Sequence, residues 1–283
     1  MPKSEFAQFL LDRGFPFLKW LVIIYGTVLV MVYLAQSRLV YMPAREIVWT
    51  PKEMGLVYED LQLVTEDQVK IHAWWIPNSA SRKTILFCHG NGGNISYRQG
   101  YIRVLHQLGF NLLLFDYRGY GRSEGSPSEI GTYKDGERAW DYLTNTQAIA
   151  PADIYLYGES LGGGIASYLA QQKCQTGVGG LILGSTFTSI PDRAQELFPF
   201  LPVHLLSQYR YPNLERLAYI TCPVLVLHSP QDEIIPFHHG QTLFAHARSP
   251  KTFVQLTGDH NTGFLQSLTV YEEGLRQFAQ LVP

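Results

Sequence analysis

The sequence predicts an α/β protein with a mostly parallel central sheet and helices on both of its faces. Short apolar runs alternate with longer amphipathic segments along most of the 283 residues, a pattern typical of strands joined by helical crossovers. Hydrophobic residues make up 46% of the chain, enough for a large buried core. A net charge of -2 with 16% charged residues offers no broad basic surface, so we expect no nucleic-acid partner.

The first segment, residues 1–40, is predicted to carry a single transmembrane anchor over about residues 15–35. The stretch from Phe15 to Ala35 is apolar apart from Lys19, and about 20 such residues can cross the hydrocarbon core as a helix. A cleaved signal peptide is the alternative, but Tyr33 stands where a small residue would precede a cleavage site. Basic residues flank the span equally, which leaves the side of the membrane open. They are Lys3, Arg13 and Lys19 before it and Arg38, Arg45 and Lys52 after it.

The remaining residues, 41–283, are predicted to form one domain that opens with an antiparallel strand pair. Two runs with strand composition, Val57 to Leu63 and Val69 to Ile76, are joined by a turn. Six further predicted strands begin at Thr84, Asn111, Ile154, Gly180, Pro223 and Thr252. Apolar residues at helical spacing predict helices over Tyr97 to Leu108, Ile130 to Asn145, Leu161 to Lys173, Phe237 to Ala247 and Thr269 to Leu281.

One connection, residues 186–218, is too long for a simple crossover and is rich in Phe, Leu, Tyr and Pro. We expect it to form a small cap inserted over the sheet. Its alternative is an ordinary pair of packing helices, because apolar stripes at helical spacing usually face a core.

Two segments match the Gly-x-Ser-x-Gly pattern of a serine nucleophile, one around Ser123 and one around Ser160. An activated serine needs a sharp turn between a strand and a helix, with glycines that relieve crowding. Ser160 has an apolar strand before it and the helix-like sequence LGGGIASYLA after it. Ser123 is followed by Gly125 and Pro127, which predict a loop. We therefore predict that Ser160 is the nucleophile and that Ser123 is a turn residue.

An acid and a histidine follow Ser160 in the chain order that this chemistry requires. Asp232 comes in the loop after the strand PVLVLH, and His260 comes in the loop after the strand TFVQL. We predict that Asp232 orients His260 and that His260 is the general base and then the general acid. Glu233 is the fallback acid, whereas Asp259, as the direct neighbour of His260, is expected to point elsewhere.

The donors for an oxyanion are predicted to be the backbone N–H groups of Leu161, after the nucleophile, and Asn91, in the glycine-rich loop HGNGGN. His89, Asn94 and Tyr97 are expected to shape this loop, with Asn94 and Tyr97 near the substrate. A phosphate site is the alternative for such a loop, but GxGxxG and the P-loop lysine are both missing from the sequence. The three cysteines have no metal-ligand spacing and are expected to be core residues, so we expect no metal and no organic cofactor. They are Cys88, Cys174 and Cys222.

Several strings resemble the α/β-hydrolase superfamily over nearly all of residues 45–283. The strings HGNGGN, DYRGYGRSEG, GESLGGG, STFTSIPD, QDEIIP and GDHN are similar to its bud-emergence-type subfamily. That resemblance implies one amino-terminal membrane helix, a small cap and a Ser, His, Asp triad at Ser160, His260 and Asp232. It also implies that DYRGYG is a structural loop near the mouth of the site. Glu159 departs from the subfamily, in which an arginine is frequent before the serine, and this alters the charge expected near the pocket.

The expected function is a membrane-anchored serine hydrolase that cleaves carboxylic esters or thioesters of lipophilic acyl groups. The lipophilic preference depends on the anchor and on the apolar residues of the predicted cap, Phe187, Phe198, Phe200, Leu201, Leu205 and Tyr209. Amidase or aminopeptidase activity is a related alternative. A catalytically silent, membrane-tethered interaction module is the alternative from another class. The oligomeric state stays open.

Overall fold

A computed structural model describes residues 15–79 and 81–281. Lys3 and Arg13, two of the basic residues before the predicted membrane span, lie outside the described residues. Eight strands form one sheet: β2 (Glu59–Val64), β3 (Lys70–Ile76), β4 (Thr84–Cys88), β6 (Asn111–Phe115), β7 (Ile154–Glu159), β8 (Gly180–Gly184), β9 (Val224–His228) and β10 (Lys251–Gln255). Their order across the sheet is β10-β9-β8-β7-β4-β6-β3-β2, and all neighbours are parallel except the pairs that include β3. A separate two-stranded pair consists of β1 (Met42–Pro43) and β5 (Gly92–Gly93). The predicted α/β class and the mostly parallel sheet are confirmed.

The central strands are buried on both faces, which explains why they are continuous apolar runs. In β4, Ile85 and Phe87 belong to one hydrophobic core, whereas Leu86 and Cys88 belong to the other. Successive side chains of a strand point to opposite faces, so this alternation places a core on each side of the sheet.

Helices cover both faces. The helices after the anchor are α2 (Gln99–Gln107), α3 (Glu129–Asp141), α4 (Gly162–Lys173), α5 (Ile190–Leu197), α6 (Val203–Leu206), α7 (Asn213–Leu217), α8 (Phe237–His246), α9 (Gly263–Gln266) and α10 (Leu268–Gln280). Buried side chains of α3, α4 and α8 belong to one core, and those of α2, α9 and α10 belong to the other.

The predicted anchor is a continuous helix, α1 (Phe15–Val40), which extends five residues beyond the predicted end at Ala35. The added turn is held by the side chain of Gln36, whose amide Nε2 donates to the carbonyl of Leu206 at 2.8 Å. Within the described residues, α1 is the one helix long and apolar enough to cross a membrane, by length and composition. The chain then enters β1 and pairs with the glycine-rich loop at β5.

The long connection at 186–218 forms three short helices. One of them packs against the central domain, as predicted for ordinary packing helices, and the other two lie over the sheet, as predicted for a cap. Helix α7 packs on α4 of the central domain. Helices α5 and α6 pack on each other and contribute Ile190, Leu197 and Val203 to a cavity above the carboxyl edge of the sheet. We call residues 190–206 the cap.

Candidate active site

Ser160 lies on the sharp turn between β7 and α4. Its φ of 51° is in the left-handed region, and its backbone N–H donates to the carbonyl of Gly184 at 2.9 Å. The flanking glycines are required by close packing: a Cβ on Gly158 would lie 2.5 Å from the Cα of Gly163, and one on Gly162 would lie 1.9 Å from the carbonyl oxygen of Cys88. The glycines therefore allow a strained turn that presents the serine at the edge of the sheet.

The structure brings Ser160, His260 and Asp232 into one hydrogen-bonded line. The Oγ atom of Ser160 lies 3.1 Å from Nε2 of His260. Nδ1 of the same imidazole lies 2.8 Å from Oδ2 and 2.9 Å from Oδ1 of Asp232. All three residues are buried, and each comes from a loop that follows a different parallel strand.

Asp232 is held as a carboxylate. Burial raises its pKa, but hydrogen bonds from His228 and His260 and from the backbone N–H of Ile235 outweigh burial and hold the pKa well below its ordinary value. The N–H groups of Ile234 and Ile235 donate to Oδ1 at 3.0 and 2.7 Å. A charged, fixed carboxylate favours one orientation and one tautomer of the imidazole, with the proton on Nδ1.

The two other acids near His260 do not contact its ring. Asp259 accepts hydrogen bonds from the N–H groups of Asn261 and Thr262 at 2.9 and 2.7 Å, so it organises its own loop. Glu233 accepts from the backbone N–H of His260 at 3.1 Å. Asp232 is therefore the carboxylate in position to orient the imidazole.

Ser123 has a structural role. Its side chain is buried, Oγ donates to the carbonyl of Asp116 at 2.8 Å, and Oγ accepts from the N–H of His72 at 2.8 Å. Gly121 and Gly125 both have positive φ, as the turn requires. The second Gly-x-Ser-x-Gly match thus reflects turn geometry.

The two predicted oxyanion donors lie beside Ser160. Asn91 and Leu161 line the same cavity as the serine. Among the hydrogen bonds of residues 15–79 and 81–281, the backbone N–H groups of Asn91 and Leu161 have no acceptor. The Asn91 loop is fixed by its other groups, because its carbonyl accepts from the N–H of Met42 at 3.1 Å and from the hydroxyl of Tyr120 at 2.9 Å. Two unpaired N–H groups in a loop that is held in place are suited to stabilise the negative charge that develops on a substrate carbonyl oxygen.

Glu159, the residue directly before Ser160, forms an ion pair under this loop. Its carboxylate lies 3.0 Å from Nε of Arg98 and accepts from the N–H of Gly90 at 3.2 Å. Arg98 in turn donates through Nη2 to the carbonyl of Gly92 at 2.8 Å. The pair is mostly buried and therefore holds both ends of the glycine-rich loop.

The structure requires a correction for two predicted substrate contacts. Asn94 is fully buried and donates to the carbonyls of Ala44 and Glu46 at 3.0 and 2.7 Å, so its amide supports the loop instead of facing the cavity. Tyr97 lies against Gly93, outside the cavity lining. Both residues do shape the loop, as His89 does from a fully buried position.

The cavity above Ser160 has a volume of about 460 Å³ and is mostly apolar, a size typical of small-molecule sites. Phe187, the third predicted substrate contact, lines it and is buried. The cap contributes one wall. Helix α1 contributes another wall through Val32, Gln36, Leu39 and Val40.

Several residues of this site were not predicted from the sequence. His228 and Arg98 act through long-range contacts that no motif marks. A polar residue at the carboxyl end of a buried strand was the available signal for His228. The pocket-lining residues of α1 were missed because an apolar helix near the amino terminus predicts an anchor and no role in a cavity.

One cluster of side chains has the residue types for a cation. Glu196 of the cap and His238 and His239 of α8 place their ligand atoms within 4.8 Å of one another. The backbone N–H of Thr188 donates to Nδ1 of His239, which leaves the proton on Nε2. That nitrogen lies 3.3 Å from a carboxylate oxygen of Glu196 and donates to it. Both histidines donate to Glu196, and Nδ1 of His239 accepts from Thr188, so these side chains already have hydrogen-bond partners.

The fold and the site's geometry define the class of α/β hydrolases. A family model described as alpha/beta hydrolase fold matches residues 83–215. An esterase of Pyrococcus furiosus, Pf2001, has the same fold with a TM-score of 0.72 at 21% identity, over 86% of this chain and 97% of that one. Residues 83–215, which the family model matches, include Ser160 and the glycine-rich loop.

Three relatives show to which family of α/β hydrolases the chain belongs. The alpha/beta hydrolase domain-containing protein WAV2 of Arabidopsis thaliana is 34% identical over 92% of this chain and 91% of its own. Protein bem46 of Schizosaccharomyces pombe is 36% identical over 77% of each chain. An uncharacterized membrane protein of Saccharomyces cerevisiae is 37% identical over 83% of this chain and 86% of its own. The chain belongs to the bud-emergence-type family of α/β hydrolases.

Proposed function

We propose that this hydrolase is a membrane-anchored serine esterase or thioesterase that works through an acyl-enzyme. The observation that carries the proposal is the hydrogen-bonded line from Ser160 through His260 to Asp232. Ser160 sits on a strained turn beside two free backbone donors, which is the arrangement that acyl transfer requires.

The reaction proceeds in two halves. Nε2 of His260 takes the proton of the Ser160 hydroxyl as Oγ attacks the carbonyl carbon, and the carbonyl oxygen becomes an oxyanion. The N–H groups of Asn91 and Leu161 donate to that oxyanion. The imidazolium then returns the proton to the departing alcohol or thiol. A water molecule, activated by the same imidazole, attacks the acyl-enzyme and releases the acid and Ser160.

The cavity supports an apolar acyl group. Phe187, Ile190 and Leu201 line the space next to Ser160 together with residues of α1. Burial of a hydrocarbon chain against such a surface contributes about 0.8 kcal/mol for each CH₂ group. An acyl chain is therefore the part of the substrate that this cavity is suited to hold.

Amidase activity is the second candidate. Glu233 and Arg193 both line the cavity, and the carboxylate of Glu233 offers an ion-pair partner for the ammonium group of an aminoacyl substrate. Glu233 is engaged with the backbone of His260, which favours the ester assignment over the amide. The hydrogen bonds from Ser160 to His260 and from His260 to Asp232 support an active hydrolase over a silent interaction module.

Membrane anchoring is supported by the contacts of α1. Its apolar length fits a bilayer, and its side chains bond to the cap and line the cavity. A cleaved signal peptide would leave that cavity without a wall. We therefore propose a single-pass anchor that is retained as part of the enzyme.

The test uses the full chain in mild detergent with three fluorogenic substrates that share one acyl group: an ester, a thioester and an amide. We also include an aminoacyl amide. We expect turnover of the ester and thioester, and its loss in Ser160→Ala but not in Ser123→Ala. Faster turnover of the aminoacyl amide would favour the second candidate. Equal rates in wild type and Ser160→Ala would contradict the proposal.

A further inference from the structure

Helix α1 forms one wall of the cavity above Ser160. Val32, Leu39 and Val40 of α1 line the same cavity as Leu197 and Phe198 of the cap. Ser160 lies in this cavity. The space above the nucleophile is thus bounded by an apolar helix of transmembrane length on one side and by the cap on another.

The cap and the residues directly after it are bonded to this helix at two positions, Tyr25 and Gln36. The hydroxyl of Tyr25 donates to the carbonyl of Phe200 at 2.8 Å, and Gln36 donates to the carbonyl of Leu206 at 2.8 Å. The N–H of Gln208 donates back to the side-chain oxygen of Gln36 at 2.7 Å. Because a helix rises about 1.5 Å per residue, the contacts at Tyr25 and Gln36 are about 16 Å apart along α1.

These contacts fix the depth of the cap if α1 lies in a bilayer. Tyr25 is about 22 Å of helix from Val40 and about 12 Å from Phe17, the ends of the apolar span. The hydrocarbon core is about 30 Å thick. Tyr25 and its partner Phe200 therefore lie inside the hydrocarbon region whichever end of the span is placed at the interface.

The side chains of the cap suit that location. Phe200 and Leu205 are 87% and 88% exposed, and Leu197 and Phe198 are also exposed. Large apolar side chains that are exposed in one contiguous segment indicate a surface that is covered by an apolar partner. The adjoining α1 is itself apolar and exposed along this stretch, so both elements carry apolar side chains that a bilayer would cover.

We propose that the substrate is a membrane-resident lipid whose ester-linked acyl chain enters the cavity from the bilayer, between α1 and the cap. This inference rests on the proposed function. The acyl chain lies against Val32 and Leu197, and the ester carbonyl reaches Ser160. In this arrangement the polar part of the lipid lies beside Arg193, which lines the cavity and is held by the carbonyl of Ile234 and by Glu196. Water completes the reaction, and the ester yields a fatty acid and an alcohol.

The first experiment narrows this entrance in the full chain reconstituted into phosphatidylcholine vesicles. Val32→Trp adds bulk at the cavity wall, and the matched control Val30→Trp adds the same bulk at an exposed position of α1. The substrates are 4-methylumbelliferyl oleate held in the vesicles and the water-soluble acetate of the same fluorophore. We expect Val32→Trp to lower the oleate rate at least tenfold more than the acetate rate, whereas Val30→Trp leaves the ratio of the two rates at the wild-type value. Equal oleate rates in the two variants, or equal losses for both substrates, would overturn the entrance.

The second experiment measures depth without activity. A bilayer-sensitive fluorophore is attached to Phe200→Cys or, as the control, to Tyr219→Cys. Tyr219 is exposed and comes shortly before β9, at the amino ends of the parallel strands. Both variants also carry Cys174→Ser, because Cys174 is partly exposed and would react with the fluorophore. Cys88 and Cys222 are buried and are kept. Lipids brominated on the acyl chain should quench the probe at residue 200 strongly and the probe at residue 219 little. Equal quenching would overturn the inference. A wild type that hydrolyses neither substrate would instead overturn the proposed function, and the quenching result would stand separately.

Discussion

The side-chain amide of Asn91, in the loop beside the nucleophile, donates to the backbone carbonyl of Val40, the last residue of α1, at 3.1 Å. The same loop pairs with Met42 and Pro43 directly after the helix. Helix α1 and one predicted oxyanion donor are therefore directly connected by hydrogen bonds. This explains how a helix that would serve as a tether can also set the geometry of the site.

This relationship predicts that Asn91 acts through its side chain as well as its backbone. Asn91→Ala keeps the backbone N–H but removes the bond to Val40, so the donor loses its support. We expect kcat/KM to fall about tenfold, since small misplacements of catalytic groups are costly. Steady-state kinetics on a soluble ester measure the change, and circular dichroism checks the fold. An unchanged kcat/KM would show that the loop needs no support from the helix.

Glu159→Gln should destabilise the protein, because it leaves the guanidinium of Arg98 without its buried partner. Removing one member of a buried pair costs about 3 kcal/mol. The matched control is Glu124→Gln, which breaks the exposed pair with Lys70 and should cost less than about 1 kcal/mol. The free energy of unfolding in detergent separates the two cases. Equal losses in both variants would rule out a supporting role for Glu159.

Asp232→Asn should remove most of the activity without removing the nucleophile. The amide cannot hold the proton on Nδ1 of His260 as the carboxylate does, so we expect kcat to fall roughly 10³- to 10⁴-fold. Asp259→Asn is the control from the neighbouring acid, and it should keep kcat within about threefold, because Asp259 bonds its own loop. A larger loss in Asp259→Asn than in Asp232→Asn would reassign the orienting acid.

Acid should destabilise the protein partly through His89. Burial, and to a lesser extent the charge of Arg98, lower the pKa of His89 to about 3 from an ordinary value of 6.5. The unfolded chain thus binds a proton between these pH values while the folded chain does not, so stability is lost as pH falls below 6.5.

In His89→Gln that contribution is absent. We expect the loss in unfolding free energy between pH 7.5 and pH 5.5 to be smaller than in wild type by about 1.4 kcal/mol. Chemical denaturation of both proteins at the two pH values measures it. The same loss in both would mean that His89 is not held neutral in the folded protein.

The local parts of the fold and site could be predicted from the sequence because they depend on residues close together in the chain. The run IYLYG before Ser160 and the glycines after it predict strand, turn and helix by sterics alone. Chain order placed Asp232 and His260 on later strand ends. The parallel sheet then brings these ends to one edge.

The remaining parts depend on contacts between distant residues, which no local pattern encodes. Asn94 has the same position in the loop sequence whether its amide faces a substrate or the carbonyl of Ala44. The wall that Val32 gives to the cavity requires α1 to lie against the cap, which follows from bonds such as Tyr25 to Phe200 across 175 residues. Such pairings are decided by packing of the whole domain.

We propose that Ser160, and not Ser123, is the nucleophile of a serine hydrolase. A fluorophosphonate probe labels an activated serine, so labelling is compared among wild type, Ser160→Ala and Ser123→Ala in mild detergent after a check that each is folded. We expect wild type and Ser123→Ala to take the label and Ser160→Ala to take none. Equal labelling of all three, or of none, would contradict the assignment of Ser160.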